Sequence, residues 1–235
     1  MSSFTGEFIG TALLIILGDG VVANVVLTKT KGNNGGWIVI TFGWAMAVFI
    51  GVYASQHFGG SGHINPAVTL ALTVFGDFDP SLLGTYIAAQ FAGAIVGAAI
   101  VWLGYKQHFD ETDNKDLKLA VFCTAPAIRS TSYNLITEIV GTFVLLFGAL
   151  SMSKPTTSLG TLDALPVALL VLAIGLSLGG PTGYAINPAR DLGPRIAHFI
   201  LPIRAKRDSD WGYSWIPVVG PVIGGLLAAY VFKLL

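Results

Sequence analysis

The chain has 235 residues, of which 53% are hydrophobic and 11% are charged, and its formal net charge is zero. A soluble domain carries about 25% charged residues, so this composition excludes an ordinary water-soluble fold and favours a polytopic α-helical membrane protein. The neutral charge argues against nucleic acid as a partner, and one cysteine with four scattered histidines predicts no disulfide, metal site or cofactor.

Six apolar segments are long enough, at roughly 20 residues, to cross a bilayer as helices. In chain order they are Phe4–Leu27, Trp37–His57, Leu82–Tyr105, Asn134–Met152, Ala164–Leu178 with its flanks, and Tyr213–Leu235. The first lacks the basic flank of a cleavable signal peptide and is too long for its apolar core, so we interpret it as a span. Two further apolar segments, Pro66–Phe75 and Pro188–Leu201, are too short to cross and are candidates for re-entrant half-helices.

The polar connection 107–132 divides the chain into two halves, about 1–106 and 133–235, that resemble each other. Glu7-Phe8-Ile9-Gly10-Thr11 opens the first half and Glu138-Ile139-Val140-Gly141-Thr142 opens the second. Each half then contains a second span, a half-helix and a third span. Because three spans is an odd number, the second half enters the membrane from the opposite side, which predicts an inverted repeat within one channel domain.

Both half-helices begin with the same tripeptide, Asn65-Pro66-Ala67 and Asn187-Pro188-Ala189. Asparagine is a preferred N-cap and proline is favoured at the first helical position, so one copy alone would indicate only a helix start. Two copies at matching places predict two helices whose positive ends meet at one point, which disfavours cations there. We expect Asn65 and Asn187 to form a pore centre and to donate amide N–H groups into the lumen. The free carbonyls of 59–64 and 179–186 are expected to line it as acceptors.

Arg190 is the most costly residue to place in a membrane. Burying an arginine costs at least about 2.5 kcal/mol, so it should face a wet or paired site. It lies about one helical turn after Asn187, where its guanidinium can donate to a permeant oxygen and repel cations. The alternative is a structural anchor that forms a salt bridge with Asp191.

These motifs resemble the major intrinsic protein (aquaporin) family over essentially the whole chain. The resemblance is carried by Ser61–Thr69 (Ser-Gly-His-Ile-Asn-Pro-Ala-Val-Thr) and Gly183–Asp191 (Gly-Tyr-Ala-Ile-Asn-Pro-Ala-Arg-Asp). Asp191, directly after the arginine, and Pro217-Val218 in the last span resemble markers of the aquaglyceroporin, or glycerol facilitator, branch. The resemblance implies an all-α membrane fold of six transmembrane helices plus two re-entrant half-helices, assembled as a homotetramer in lipid. It implies no enzymatic activity.

The resemblance also implies a selectivity filter of aromatic residues and an arginine. Arg190 matches the arginine, Tyr184 the aromatic of the second re-entrant loop, and Trp44 the aromatic of span two. Gly175 matches a position that holds histidine in strict water channels and glycine in glycerol channels. Trp44 and Tyr184 would contact the carbon skeleton of a polyol while Arg190 binds its hydroxyls, and Gly175 would leave the lumen wide. Trp44 as an interfacial belt aromatic and Tyr184 as a core residue are the alternatives. In aquaporin-type channels, selectivity rests on diameter, lining donors, an arginine and half-helix dipoles, a rule taken from this family itself.

Two acids near the starts of spans one and four, Glu7 and Glu138, leave two functions open. In the family such glutamates brace the backbone of the re-entrant loops, and His63 is expected to brace or line the same loop. Intramembrane acids also mark proton relays, so the alternative is a proton-coupled secondary transporter of a small hydroxylated solute. The favoured function is a passive channel for small uncharged solutes, namely glycerol, related polyols and water, with protonated lactic acid as a further candidate.

The resemblance implies a multi-pass protein of the cell membrane with both termini cytoplasmic. The basic residues indicate the opposite orientation, since only Lys154 and Lys233 would then lie on cytoplasmic segments. The charged run 110–118 in the central connection is expected to be a solvated loop.

Overall fold

The computed structural model describes residues 1–152 and 156–235, which form a bundle of helices. The helices are α1 (Ser3–Val26), α2 (Trp37–His57), α3 (Pro66–Phe75), α4 (Leu83–Gly104), α5 (Lys106–Glu111), α6 (Lys115–Ala120), α7 (Thr131–Ser151), α8 (Leu165–Leu178), α9 (Pro188–Ile200) and α10 (Ile216–Leu234). Short 3₁₀ turns at Pro80–Leu82 and Gly160–Ala164 lead into α4 and α8.

Within the described residues, six helices are long and apolar enough to cross a membrane, counting the 3₁₀ turns with α4 and α8. They are α1, α2, α4, α7, α8 and α10, and α3 and α9 are shorter. The prediction of six spans and two half-helices is therefore confirmed. Lys154, which was assigned to a cytoplasmic segment, lies outside the described residues.

The half-helices pack across the two halves of the chain. Within the halves, α1 contacts α2 and α4, while α7 contacts α10 and α8. Between them, α9 packs against α4, α3 packs against α10, and α2 packs against α8. Each half-helix is thus held by the third span of the other half, which brings the two Asn-Pro-Ala starts together.

Glycines at corresponding places let α4 approach α1 and α10 approach α7. A Cβ added to Gly93 would lie 2.4 Å from the Phe8 carbonyl oxygen, and one added to Gly224 would lie 2.3 Å from the Ile139 carbonyl oxygen. Real atoms cannot approach that closely, so both positions require glycine. Between helices in lipid, close backbone packing takes over much of the role that the hydrophobic effect has in water. Because Phe8 and Ile139 directly follow Glu7 and Glu138, these contacts also fix where the two acids lie.

The central connection, 107–132, is more ordered than predicted. It follows three crossings of the bilayer, so it lies on the membrane side opposite the two termini; we call these the far side and the terminal side. It contains α6 and most of α5, and Lys118 is only 2% exposed. The Lys118 ammonium donates to the Arg204 carbonyl at 2.6 Å, and Arg129 forms a salt bridge with Asp210. The prediction of a solvated loop is therefore wrong for Lys118, because the connection folds against 201–215 and a carbonyl replaces water around the ammonium.

Candidate functional site

The N-termini of α3 and α9 meet and are capped by their asparagines. Asn65 Oδ1 accepts from the Ala67 N–H at 3.0 Å, and Asn187 Oδ1 accepts from the N–H groups of Ala189 at 3.0 Å and Arg190 at 3.2 Å. Proline occupies the first position of each helix. A backbone N–H at this position would have no acceptor within the helix, so proline, which lacks that N–H, costs no hydrogen bond there. The Asn-Pro sequence therefore determines where each half-helix begins, and the two starting points lie together where the two halves of the chain meet.

The amide groups of the same asparagines cross-link the two re-entrant loops. Asn65 Nδ2 donates to the Ile186 carbonyl at 2.9 Å, and Asn187 Nδ2 donates to the Ile64 carbonyl at 2.8 Å. The sequence predicted that these amides donate into the lumen. The structure instead uses one N–H of each amide for a loop carbonyl that would otherwise lack a donor at membrane depth. An amide has two N–H groups, so one remains at each asparagine for a permeant.

The predicted ladder of lumen-facing carbonyls is also shorter than expected. Besides the carbonyls of Ile64 and Ile186, the Gly179 carbonyl accepts from the Gly183 N–H at 2.8 Å. The Pro181 carbonyl accepts from the Ala127 N–H at 2.9 Å. The bond between Ala127 and Pro181 holds the second loop against the central connection, a contact that local sequence does not encode.

Both re-entrant loops contain left-handed backbone at residues other than glycine. The φ angles are +42° at Ile64, +39° at Tyr184 and +46° at Ile186. Such angles are unfavourable for side chains in general and most of all for β-branched residues such as isoleucine, at a cost of about 1–3 kcal/mol each. The surrounding structure must therefore hold these residues in place.

Glu7 is the brace of the first loop. Its two carboxylate oxygens accept four hydrogen bonds, from Ser55 Oγ at 2.8 Å, the His63 N–H at 3.0 Å, the Ile64 N–H at 2.7 Å and Gln90 Nε2 at 2.8 Å. An ionised carboxylate has about four acceptor sites, so every site of Glu7 is occupied. A proton could enter only by breaking one of these bonds, which disfavours a proton relay at this position.

Glu138 stands in the same relation to the second loop. Its oxygens accept from the Ala185 N–H at 3.0 Å and the Ile186 N–H at 2.8 Å. Each acid thus accepts hydrogen bonds from two consecutive backbone N–H groups. The second of these belongs to the isoleucine with left-handed backbone that directly precedes the asparagine.

His63 contributes to the first loop through both its backbone and its ring. Its ring nitrogen Nδ1 lies 3.2 Å from Thr69 Oγ1, and its ring packs against Phe78 and Tyr86 with centroid distances of 4.7 and 5.2 Å. Thr69 Oγ1 in turn donates to the Asn65 carbonyl at 3.0 Å. The imidazole therefore connects the start of α3 to an aromatic cluster while also lining the lumen.

Arg190 lies against an aromatic wall. Its guanidinium carbon is 4.1 Å from the centre of the Trp44 ring, which is a cation–π contact. Trp44 is 4% exposed and Arg190 is 8% exposed, so Trp44 is not placed as an interfacial belt residue would be. The Tyr184 ring meets Trp37 edge-on at 5.8 Å between centroids.

Two cavities meet at these side chains. The first, of about 140 Å³, extends past Asn65, Asn187 and His63. The second, of about 200 Å³, opens below the central connection and is lined by Ala120 and by 123–125. The residues that line both cavities are Trp44, Tyr184 and Arg190. These three side chains therefore separate a far-side vestibule from a lumen that contains the paired asparagines.

Comparison with known proteins agrees with this geometry. The family model described as "Major intrinsic protein" matches residues 1–232. The chain belongs to the major intrinsic protein family. A probable glycerol uptake facilitator protein of Thermotoga maritima is 59% identical over 233 residues, which are 99% of each chain. A D/L-lactic acid transporter of Lactiplantibacillus plantarum is 41% identical over 228 residues, which are 95% of this chain and 93% of that protein.

The fold agrees with a solved structure as well. The X-ray structure of the aquaglyceroporin from Plasmodium falciparum superposes with a TM-score of 0.84 and 30% identity, covering 98% of this chain and 94% of that chain. The resemblance inferred from the two Asn-Pro-Ala motifs is thus confirmed. Major intrinsic proteins are transport channels and not a family of enzymes.

In this major intrinsic protein, Gly175 is buried in α8 and lies against Tyr184 and Thr41. Gly175 is absent from the lining of both cavities formed by the described residues. A Cβ added to it would lie 2.8 Å from Tyr184 Cζ and 2.9 Å from Thr41 Cγ2, and its carbonyl accepts from Trp37 Nε1 at 3.0 Å. The Tyr184 ring occupies the space beside the glycine, so Gly175 can act on the lumen through Tyr184, and its part in the selectivity filter stays a prediction.

Asp191 pairs with a residue that sequence reasoning missed. Its Oδ1 lies 2.9 Å from Arg195 Nε and 2.8 Å from Arg195 Nη2, and its Oδ2 accepts from the N–H and the hydroxyl of Thr124, each at 2.7 Å. Arg195 also donates to the carbonyls of Ser209 at 2.7 Å and Thr124 at 3.0 Å. The alternative in which Asp191 anchors Arg190 is therefore not the arrangement observed. The available signal was the spacing of four residues between Asp191 and Arg195, which places them on one helix face.

Proposed function

We propose that this chain is a passive channel for small uncharged solutes, conducting glycerol, related polyols and water. The observation that carries the proposal is the junction of the two cavities at Trp44, Tyr184 and Arg190. The high similarity to a protein named a probable glycerol uptake facilitator, over nearly the full length of both chains, supports the same solute.

The filter offers both kinds of contact that a polyol needs. The Trp44 and Tyr184 rings present apolar surface to a carbon skeleton, while the Arg190 guanidinium presents N–H donors to hydroxyl oxygens. Beyond the filter, the remaining amide N–H of Asn65 or Asn187 can donate to the same oxygens. A solute that gives up water in the filter thus regains hydrogen bonds at each stage, which keeps the barrier for uncharged solutes low.

Charged solutes meet a different environment. The N-termini of α3 and α9 each carry roughly half a positive charge, and Arg190 adds a full one close to the lumen. Cations are repelled by these charges, and anions lose hydration against walls that are mostly apolar. All the acceptor sites of Glu7 are occupied, which argues against Glu7 as the acid of a proton-coupled transporter.

We further propose the arrangement of the whole assembly. The corresponding contacts of Glu7 with the first loop and Glu138 with the second support an inverted repeat of 1–106 and 133–235 joined by 107–132. Family membership supports a homotetramer with one pore per protomer and cytoplasmic termini.

The solute range is tested by swelling of proteoliposomes that contain the purified protein. Glycerol should enter much faster than in empty vesicles, and a six-carbon polyol should enter more slowly than glycerol because the filter is walled by two rings and a guanidinium. Equal rates with and without protein for every polyol would contradict the proposal.

Protonated lactic acid is a second candidate solute, supported by the relative named a D/L-lactic acid transporter. If it passes as the neutral acid, uptake should fall by about tenfold for each pH unit above the pKa of the acid, since only the protonated fraction conducts. Radiolabelled uptake at several pH values checks this, with glycerol uptake as the control that should not vary. Lactic acid uptake that does not follow the protonated fraction would exclude this mode of entry.

Substitution of Gly175 tests how the filter is built. In Gly175→His the added ring meets Tyr184 and Thr41, so we expect Tyr184 to be pushed into the lumen and glycerol flux to fall roughly tenfold or more. Water flux should fall less, because water is smaller. Stopped-flow light scattering measures both, and Gly180→Ala, where an added Cβ meets no heavy atom within 4 Å, is a matched control. Equal loss of both fluxes would indicate misfolding instead.

A further inference from the structure

Asp19 in α1 is a buried acid that neither braces a loop nor lines the lumen. It is 0% exposed, and neither carboxylate oxygen has a hydrogen-bond partner in the part of the chain that the structure describes. Glu7, Glu138 and Asp191 by contrast each accept at least two hydrogen bonds. An ionised carboxylate without partners costs several kcal/mol to bury, so a buried acid either takes up a proton or has a nearby positive charge to balance it.

The position of Asp19 relates it to the filter. A Cβ added to the preceding residue, Gly18, would lie 2.2 Å from Trp44 Cζ3, so α1 packs directly against the Trp44 ring. Arg190 lies over that same ring. The electrostatic environment of the Asp19 carboxyl is set first by its burial and then by the charges of Arg190 and Asp191. Asp19 therefore follows directly on the residue of α1 that packs against Trp44, the ring that Arg190 covers.

The remaining charges around Asp19 are already paired. Asp191 and Arg195 form a fully buried ion pair with further hydrogen bonds to Thr124 and Ser209. Cys123, another titratable group near this cluster, is a buried thiol whose sulfur contacts the Leu119 carbonyl. Arg190 Nη1 is buried and has no hydrogen-bond partner within residues 1–152 and 156–235. Among the described residues, the Asp19 carboxylate and Arg190 Nη1 thus both lack hydrogen-bond partners, and both residues lie near Trp44.

We propose that Asp19 is the counter-charge of Arg190, a positioning residue that holds the guanidinium against Trp44 and sets the charge of the filter. The inference rests on the proposed function, because it assigns Asp19 to the filter of that channel. With Asp19 ionised, the cluster of two acids and two arginines is neutral overall. Without it, Arg190 carries an unbalanced charge, leaves the Trp44 face more readily and narrows the passage.

The test is a double-mutant cycle of Asp19→Asn and Arg190→Ala, measured by glycerol flux and by thermal unfolding. The asparagine keeps the shape of the aspartate and removes only its charge. We expect D19N to lower glycerol flux roughly fivefold in the otherwise native protein and to have no effect on flux in the Arg190→Ala background. We also expect the double variant to unfold at a higher temperature than Arg190→Ala alone, since that single change leaves Asp19 buried without a counter-charge.

A matched control comes from the same helix. Thr11 is also 0% exposed, and its hydroxyl has no partner among the described residues, but it carries no charge. Thr11→Val should leave glycerol flux unchanged. A flux loss in T11V as large as that in D19N would show that any change inside α1 disturbs the pore, and it would overturn the proposal.

Three further outcomes are decisive. Wild-type flux in D19N, or the same fold loss with and without Arg190, would overturn the role of Asp19 while leaving the channel intact. If D19N does not reach the membrane, the cycle is run with Asp19→Ser under the same expectations. If wild-type protein fails to conduct glycerol, the proposed function fails by itself, and the coupling of Asp19 to Arg190 is then measured by water flux and unfolding temperature.

Discussion

Replacing Arg190 with alanine should abolish discrimination against larger and charged solutes while glycerol continues to pass. The change removes the guanidinium that closes the filter against Trp44, so the passage widens and loses its full positive charge. We expect uptake of a six-carbon polyol and of small cations to rise by roughly tenfold or more, as electrostatic terms of a few kcal/mol in a low-dielectric site would give. Swelling rates and a cation-sensitive dye inside proteoliposomes measure the two effects.

A conservative substitution sharpens this test. Arg190→Lys keeps the charge but loses the planar fork of donors and its stacking on an aromatic ring. Cation exclusion should therefore persist in the lysine variant while size selectivity weakens. If Arg190→Ala shows the same solute preferences as the native channel, Arg190 does not belong to the filter.

Replacing Glu7 with glutamine should prevent the first re-entrant loop from forming correctly. Of the four donors around the carboxylate, two would face an amide nitrogen that cannot accept, and hydrogen bonds to a charged group contribute about 1.5–3 kcal/mol each. The expected loss is about 3–5 kcal/mol, a large share of the 5–15 kcal/mol by which a typical domain is stable. We therefore expect low yield, a strongly lowered unfolding temperature in detergent and little flux.

Two further substitutions show how much of the effect of Glu7→Gln comes simply from removing a carboxylate. Glu111 lies on the surface in a salt bridge with Lys29, so Glu111→Gln should leave the unfolding temperature close to that of the native protein. Glu138→Gln should fall between the two, since Glu138 accepts from the backbone N–H groups of Ala185 and Ile186. A Glu7→Gln protein with native stability, whose uptake no longer responds to a proton gradient, would instead favour a proton relay.

Local sequence was enough to predict the helices whose first and last residues are determined by neighbouring residues in the chain. The Asn-Pro start and the short apolar length predicted α3 as Pro66–Phe75, which is its observed range, and α9 differs from its prediction only at the last residue. The bracing role of Glu7 and Glu138 came from the resemblance to the family, whereas the helix starts came from local sequence alone. These helix starts depend on residues close together in the chain.

The features that were missed depend on contacts between distant segments. The crossed amide bonds join residues 121 and 123 positions apart, and the burial of Lys118 depends on a carbonyl 86 residues away. The contact of Tyr184 with Gly175 is set by how a re-entrant loop meets α8, so the width of the filter could not be inferred from glycine alone. Asp19 did carry a sequence signal, since an acid in the middle of an apolar span is itself a functional indication.

The central claim, passive conduction of glycerol, is tested most directly by glycerol flux into proteoliposomes at increasing glycerol concentration, with and without an imposed proton gradient. The structure predicts a rate that rises in proportion to the concentration difference and is unchanged when an ionophore collapses the gradient. Saturable uptake that stops when the gradient is collapsed would contradict the channel and favour a coupled transporter.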